Sequence, residues 1–532
     1  MEVSMKSFIC IVFFFIYNIT ISQNSIPYVN KSLIKVHSFN QSIVDSLLKR
    51  NVIPISCRGS ILESNLIVDS LTLNFLRLNQ VNFSIIHDNL SELIDLEMQA
   101  IEQEKSKRSS NWYSTYRSFS EINNHLNDIV LTSDIATQIV IGQSYEGRDI
   151  NVIKIGLDNN LEDKPAIFIN GCQHAREWIT PMATTYLIEE LITQYNINLE
   201  INNFLNLVDV YILPVSNPDG YVYTWEEDRW WRKNRQPNLN SECIGTDLNR
   251  NWNYDWNGQQ STSEDPCSFI YVGSNPFSAS ETQVISDYIL TIPNLVNHID
   301  VHNYSALIVG PWASSEDLTE DNDEIYCLGT RMQSAVSNTH DYPYIFGTGT
   351  VNDLLYLISG GMVDWVYGYL SSLSFLYELR PASLYYFDSN FDGLGAFDND
   401  ENAILPTCEE FFSGVIEMIK WASIETCEVA VGCSDPEAEN YYCNTLEGSM
   451  GCLYTVNPNI APQSNGAYNL LEYSLPVGFI DDGSCIYDNS IEEHQNNRQI
   501  IKAIDILGRE NIQKGFQIEL YDNGTVEKQY IY

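Results

Sequence analysis

The stretch "GCQHAREWIT", residues 171–180, sets His174 and Glu177 three positions apart, directly after the apolar run "AIFI". An imidazole and a carboxylate at that spacing can hold a divalent metal. A polar loop produces the same pair by accident, so the two residues alone leave both readings open. A catalytic zinc takes three protein ligands and keeps a fourth position for water, which requires a third nitrogen or oxygen ligand from elsewhere. No His-Glu-x-x-His run is present. Between residues 112 and 424 the histidines are His125, His174, His298, His302 and His340. His298 and His302 are four apart, as a helical pair would be. In "NHIDVHNYS", however, Ile299 and Val301 alternate with His298, Asp300 and His302, which is the period of a strand. His302 then sits at the strand's end, where an α/β sheet presents ligands, whereas His298 reads as structural or exposed.

These residues need a scaffold, and the region 112–424 supplies a regular one. Apolar runs such as "PAIFING", "VDVYILPVSNPDGY" and "SFLYELR" alternate with helical patterns such as "TPMATTYLIEELITQY", "SASETQVISDYIL" and "CEEFFSGVIEMIKWA". Thr180-Pro181 offers a helix start, and Ser278 with Glu281 a capping box. Strand and helix in turn predict one large α/β domain with a mainly parallel or mixed sheet and its site at strand ends. Residues 24–111 read as a small α+β unit, with "LIKVHSF" and "LNFLRLNQVNFSII" as apolar strand runs and "QSIVDSLLKR" and "LSELIDLEMQAIEQEK" as helices. It closes in "EKSKRSSNWYS", a basic, Ser-rich stretch expected to be exposed and open to trypsin-like proteases. Residues 425–490 are rich in Cys, Asp, Gly and Asn, and 491–532 read as short strands with turns at Gly508, Gly515 and Gly524.

The chain has 532 residues and a formal net charge of −42. That charge argues against nucleic acid or anionic membrane as a partner, because phosphate binding needs clustered Lys and Arg; it suits solubility in a salty medium. Residues 1–23 carry Lys6 and an apolar run from Phe8 to Tyr17, too short to span a bilayer and the pattern of a secretory signal peptide. No later segment is long and apolar enough for a membrane helix, so the expectation is a protein that is secreted or at the cell surface without a span. Twelve cysteines fit an oxidising route. Cys433, Cys443, Cys452 and Cys485 have no histidine among them and are expected in disulfides, not on zinc.

Residues 112–424 resemble the pancreatic-type zinc metallocarboxypeptidases, the A/B branch. The motifs "HAREW", "NPDGYVYTWEEDRWWRKNR", "CIGTDLNRNW", "DPCSFIYVG", "HNYS", "YLISGGMVDW" and "YELRP" come in that family's order. The resemblance implies an α/β fold with a mixed central sheet flanked by helices, and one zinc held by His174, Glu177 and His302. It implies that Glu378 takes a proton from the attacking water and passes it to the leaving amine, and that Arg232 stabilises charge on the scissile carbonyl. Arg176 and Tyr304 become substrate contacts, and Arg250, Asn249 and Tyr356 would hold a terminal carboxylate. Cys243 and Cys267 match the family's disulfide. Val363 falls at the floor of the pocket for the C-terminal side chain, where an apolar residue selects large apolar side chains; Asp364 beside it is expected to be structural.

Residues 24–111 are similar, without a specific motif, to the family's prosegment, which covers the cleft until an activating protease cuts the connection. Residues 425–490 resemble a bacterial disulfide-rich surface repeat. Residues 491–532, with "DILGR" and "GFQIELYDNGTVEK", resemble the sorting tail read by type IX secretion machinery. The implied substrates are peptide or protein C-termini. Two other readings stand beside this one: a catalytically silent relative that binds peptide C-termini at a surface, and a carbohydrate- or calcium-binding module around Asp481 and Asp482.

Overall fold

The computed structural model describes residues 27–37, 41–48, 50, 52–54, 65–107, 111–157, 164–258, 260–348, 356–381 and 401–424, with five strand segments beyond. The signal-peptide reading of 1–23 and the four cysteines from Cys433 to Cys485 lie outside them. Among the described residues no helix is long and apolar enough to cross a membrane.

The N-terminal unit is α+β. Strands β1 (Lys31–Val36), β2 (Ile53–Pro54), β3 (Leu66–Asp69) and β4 (Phe83–His87) form a sheet in the order β2-β3-β1-β4, with helices α1 (Gln41–Leu48), α2 (Ser70–Leu78) and α3 (Leu90–Ser106). The apolar run at 73–86 is thus helix as far as Leu78 and strand only from Phe83. Asp69 caps that helix by accepting from the Thr72 amide at 2.7 Å, and Thr72, Leu73 and Leu76 are buried at helical spacing. The helix α3 also carries on through Lys105, whose ammonium reaches Glu121 at 2.8 Å; the exposed basic stretch therefore starts only at Lys107.

The large domain adds β5 (Ala136–Gln143), β6 (Asp149–Ile155), β7 (Ala166–Gly171), β8 (Asp209–Leu213), β9 (Leu295–Asn303), β10 (Leu307–Val309), β11 (Ile345–Gly347) and β12 (Leu373–Leu379). They form one eight-stranded mixed sheet, β11-β10-β12-β9-β7-β8-β6-β5, whose centre is parallel. Its helices are α4 (Phe119–Leu131), α5 (Ile179–Tyr195), α6 (Leu199–Leu207), α7 (Pro218–Glu226), α8 (Ser280–Ile289), α9 (Asn322–His340), α10 (Met362–Leu370) and α11 (Glu401–Ile424). Helices α5, α9 and α11 cover one face, where Ile169, Leu187, Ile299, Phe375 and Phe411 share a core. On the other face Phe168, Trp252, Ile285 and Trp365 form a second core with α8 and α10. This is the mixed, helix-flanked α/β architecture expected from the alternation of elements. Beyond residue 424, β13 (Val431–Gly432) pairs with β14 (Ile480–Asp481). Strands β15 (Ile500–Asp505), β16 (Gly515–Tyr521) and β17 (Val526–Ile531) form a three-stranded antiparallel sheet.

Two helix starts differ from expectation, the first because tertiary partners take the capping groups. Helix α8 begins at Ser280, since Ser278 Oγ accepts from Asn251 Nδ2 at 3.1 Å and the Glu281 carboxylate accepts from Asn234 Nδ2 at 2.7 Å. Helix α5 starts at Ile179, so Thr180 and Pro181 fall inside its first turn.

The backbone of Gly360, just before α10, comes close to that of Arg250. Gly360 has φ +71°, and a Cβ there would lie 2.5 Å from the Arg250 carbonyl oxygen. Gly360→Ala should therefore lower unfolding free energy by about 1–3 kcal/mol, the usual cost of a strained backbone position. Denaturant titration checks this, and an unchanged midpoint would contradict it.

Candidate active site

The buried strand β7 delivers the chain into a turn that carries His174 and Glu177, and α5 follows directly. His302 stands next to last on β9, and Glu378 lies opposite it in register on β12. His174, Glu177 and His302 are all buried, and one donor atom from each lies within 4.8 Å of the others. His174 Nδ1 is 2.8 Å from Glu177 Oε1 and 3.0 Å from His302 Nδ1, which in turn is 3.3 Å from Glu177 Oε2. Two imidazole nitrogens that close repel through their lone pairs unless a proton or a cation lies among them. Two imidazoles and a carboxylate are also the donor set of a catalytic zinc site. The residues fit that ion.

The charges around this cluster are arranged in pairs. His174 Nε2 is 3.2 Å from Asp247 Oδ1, while Asp247 Oδ2 accepts from Arg232 Nε and Nη2 at 3.1 and 2.9 Å. Burial alone would raise the Asp247 carboxyl, but Arg232 and Arg250 hold it well below the usual carboxylate range. Burial opposes Glu177 in the same way, and His174 and His302 overcome it. His302 Nε2 is 2.8 Å from Asp300 Oδ2. Glu378 behaves differently: loss of hydration pushes it up to about 7, with Glu177 and Asp300 adding to the rise and His302 and Arg232 opposing it.

A second group of residues combines a buried arginine with an apolar cluster. Arg250, in the 3₁₀ turn Leu248–Arg250, donates Nε to the Ser261 carbonyl at 2.8 Å and Nη1 to the Asn249 carbonyl at 2.7 Å. Its Nη2 is buried with no hydrogen-bond partner among the described residues. The Asn249 side-chain oxygen accepts from the Met362 N–H at 2.9 Å, and its Nδ2 lies 3.0 Å from His302 Nε2. Val363 opens α10, buried against Leu307, Val309, Ala313, Ile358 and Leu376, and half-buried Tyr356 packs beside them. The Asp364 carboxylate is committed to main-chain donors, accepting from the backbone of Ala313 at 2.7 Å and of Ser314 at 2.9 Å. Tyr304 follows Asn303, whose N–H donates to Glu177 Oε2 at 3.3 Å. Arg176 is buried in the turn between the metal donors.

Sequence reasoning assigned no role to Asp247, Asp300 or the docking contacts of the N-terminal unit. Asp247 lies within a motif already quoted, and Asp300 shares His302's face of the strand, so each carried a local signal. The docking contacts carried none. Glu97 forks to Arg229 at 2.8 and 3.1 Å, Tyr28 donates to Asp228 Oδ1 at 2.6 Å, and the Tyr28 ring meets Trp230 edge-on at 4.5 Å. Those contacts fall just before Arg232. His298, expected to be structural or exposed, is buried between Ser374 Oγ at 2.7 Å and Asn170 Oδ1 at 2.9 Å. Cys243 and Cys267 form a disulfide, and Cys327 is disulfide-bonded as well, while Cys172 and Cys408 are free and buried.

Comparison with known proteins agrees with this geometry. A family model described as zinc carboxypeptidase matches residues 122–414. A zinc carboxypeptidase of Simulium vittatum is 38% identical over 284 residues, 53% of this chain and 88% of that protein. Carboxypeptidase B of Rattus norvegicus is 33% identical over 339 residues, 63% of this chain and 77% of that protein. The crystal structure of thrombin activatable fibrinolysis inhibitor superposes with a TM-score of 0.64 at 28% identity, covering 75% of this chain and all of that one. With more than half of its length matched and a donor set suited to the ion, the chain belongs to the zinc carboxypeptidase family and is a zinc-using metallocarboxypeptidase.

Proposed function

We propose that this chain releases C-terminal residues from peptides and proteins outside the cytoplasm, prefers large apolar or aromatic residues, and is made as a zymogen. The observation that carries the reading is the buried Nη2 of Arg250, with no hydrogen-bond partner among the described residues. A guanidinium with a spare donor suits a carboxylate, and in an exopeptidase that carboxylate is the substrate's own terminus.

His174, Glu177 and His302 are the residues that would hold zinc. The ion, when bound, supplies Lewis acidity, polarising the scissile carbonyl and making water more acidic. Glu378 is in register with His302 and held up to about 7, so it can accept a proton from water near neutral pH and return it to the departing amine. Arg232 is fixed in orientation by Asp247 and answers negative charge as it grows on the carbonyl oxygen. Arg250 orients the terminal carboxylate, with Tyr356 nearby, and Asn249 contributes by holding the "SGGM" backbone through Met362. Arg176 and Tyr304 line the approach on the far side of the scissile bond. Val363 selects the terminal side chain, since a buried ammonium or guanidinium there would have no partner.

The N-terminal unit, residues 24–111, acts as the prosegment by resting on Asp228, Arg229 and Trp230, next to Arg232. An activating protease then cuts after Lys107 or Arg108. Residues 1–23 act as a signal peptide, 425–490 as a surface module and 491–532 as an address for secretion machinery.

Three outcomes follow. In Glu378→Gln, kcat should fall ~100- to 10,000-fold with KM little changed, as loss of general acid–base catalysis implies; a kcat within about threefold of wild type, far below that range, would remove Glu378 from the mechanism. On matched peptides kcat/KM should favour terminal Phe over terminal Arg, and Val363→Asp should shift selectivity toward Arg; a wild-type preference for Arg would refute the pocket assignment. Limited trypsin treatment should raise kcat/KM, and Glu97→Ala should raise the activity of the uncut chain by loosening its fork to Arg229. Equal activity before and after cleavage would leave residues 24–111 a plain N-terminal domain.

A further inference from the structure

We propose that Asp300, clamped by Asn170 and Gln173, is a positioning residue that orients His302 toward the metal and supplies half of the negative charge that balances a divalent ion. The inference rests on the assignment of His174, Glu177 and His302 as zinc ligands.

Asp300 is fully buried on β9, on the same face as His302. Its Oδ2 lies 2.8 Å from His302 Nε2 and accepts from Gln173 Nε2 at 2.7 Å; its Oδ1 accepts from Asn170 Nδ2 at 2.7 Å. Both amides are themselves anchored. Gln173 Oε1 accepts from Trp252 Nε1 at 3.0 Å, and Asn170 Oδ1 lies 2.9 Å from His298 Nε2. The carboxylate therefore has a fixed orientation, and a ring whose Nε2–H donates to it presents the Nδ1 lone pair to His174 and Glu177.

The charge count separates this residue from Asp247. Asp247 backs His174 at 3.2 Å but is already answered by Arg232. Asp300 has no Lys or Arg partner among the described residues; its contacts are His302 and two neutral amides. A buried carboxylate without a cation is costly. With Asp247 and Arg232 cancelling, Glu177 and Asp300 together carry the two negative charges that a divalent cation among these ligands would neutralise. Partners of this kind behind a metal-bound histidine typically contribute 10- to 100-fold in metal affinity.

The test compares zinc binding by the full chain, measured by competition with a chromophoric chelator, with thermal unfolding in zinc-free and zinc-loaded forms. Asp300→Asn keeps the size and removes the charge. It should weaken zinc binding ~10- to 100-fold, and it should reduce the rise in Tm on adding zinc, whereas a merely structural residue would lower both melting temperatures alike. Zinc affinity within about twofold of wild type, well short of that effect, would overturn the proposal. Should Asp300→Asn fail to fold, Gln173→Leu removes one clamp without touching His302. A smaller but measurable loss of zinc affinity would then support the proposal, and an unchanged affinity would overturn it. His302→Ala serves as the control: wild-type zinc affinity in that variant would defeat the ligand assignment itself, and the role of Asp300 with it.

Discussion

The parallel pairing of β12 with β9 is the constraint on which the site depends. It sets Glu378 beside His302 in register, so a proton acceptor and a metal donor are fixed relative to each other by main-chain hydrogen bonds, not by loop conformation. Slipping that pairing by one residue would turn Glu378 to the other face of the sheet, among Phe375 and Tyr377 in the core. Register in a sheet buried on both faces is strongly specified, and here Phe375, Tyr377, Ile299 and Val301 specify it by filling the core under α9 and α11.

The opposite face of the same strands and the loop beside it bury polar groups, and most of these have partners. His298 is held between Ser374 and Asn170, Asp300 between His302 and two amides, and Asp247 by Arg232. Two groups assigned above to substrate and to proton transfer keep capacity to spare. Arg250 keeps Nη2 buried and unpartnered among the described residues, and Glu378 is held high by lost hydration, whereas Arg232 and Arg250 hold Asp247 low and the neighbouring histidines hold Glu177 and Asp300 low. Such divergence among neighbouring carboxylates separates a base from structural anions.

The large α/β domain was legible because its strands and helices alternate with clear periods, and the placing of His302 at a strand end was legible from the alternation of Ile299 and Val301 with polar residues. What stayed hidden depends on contacts between distant positions. Asn170 and Asp300 are 130 residues apart, and nothing local to either announces the bond between them. Ser278 and Glu281 carried a capping signal that Asn251 and Asn234 overrode from other loops. The run at 73–86 is apolar enough for a strand throughout, and the helical form of its first part follows from the Asp69 cap and from which residues the sheet beneath it buries. Glu97 and Tyr28 belong to no motif, and the motif that contains Asp228 and Arg229 does not announce them as partners, so the docking of the N-terminal unit emerges only in three dimensions.

The central claim is that one zinc ion is held where β7 and β9 end. Anomalous diffraction at the zinc absorption edge from crystals of the full chain tests it most directly. The account predicts a single peak ~2.0–2.2 Å from Nδ1 of His174, Nδ1 of His302 and the Glu177 carboxylate. A peak ligated by other residues, or none in protein that cleaves peptides, would contradict it.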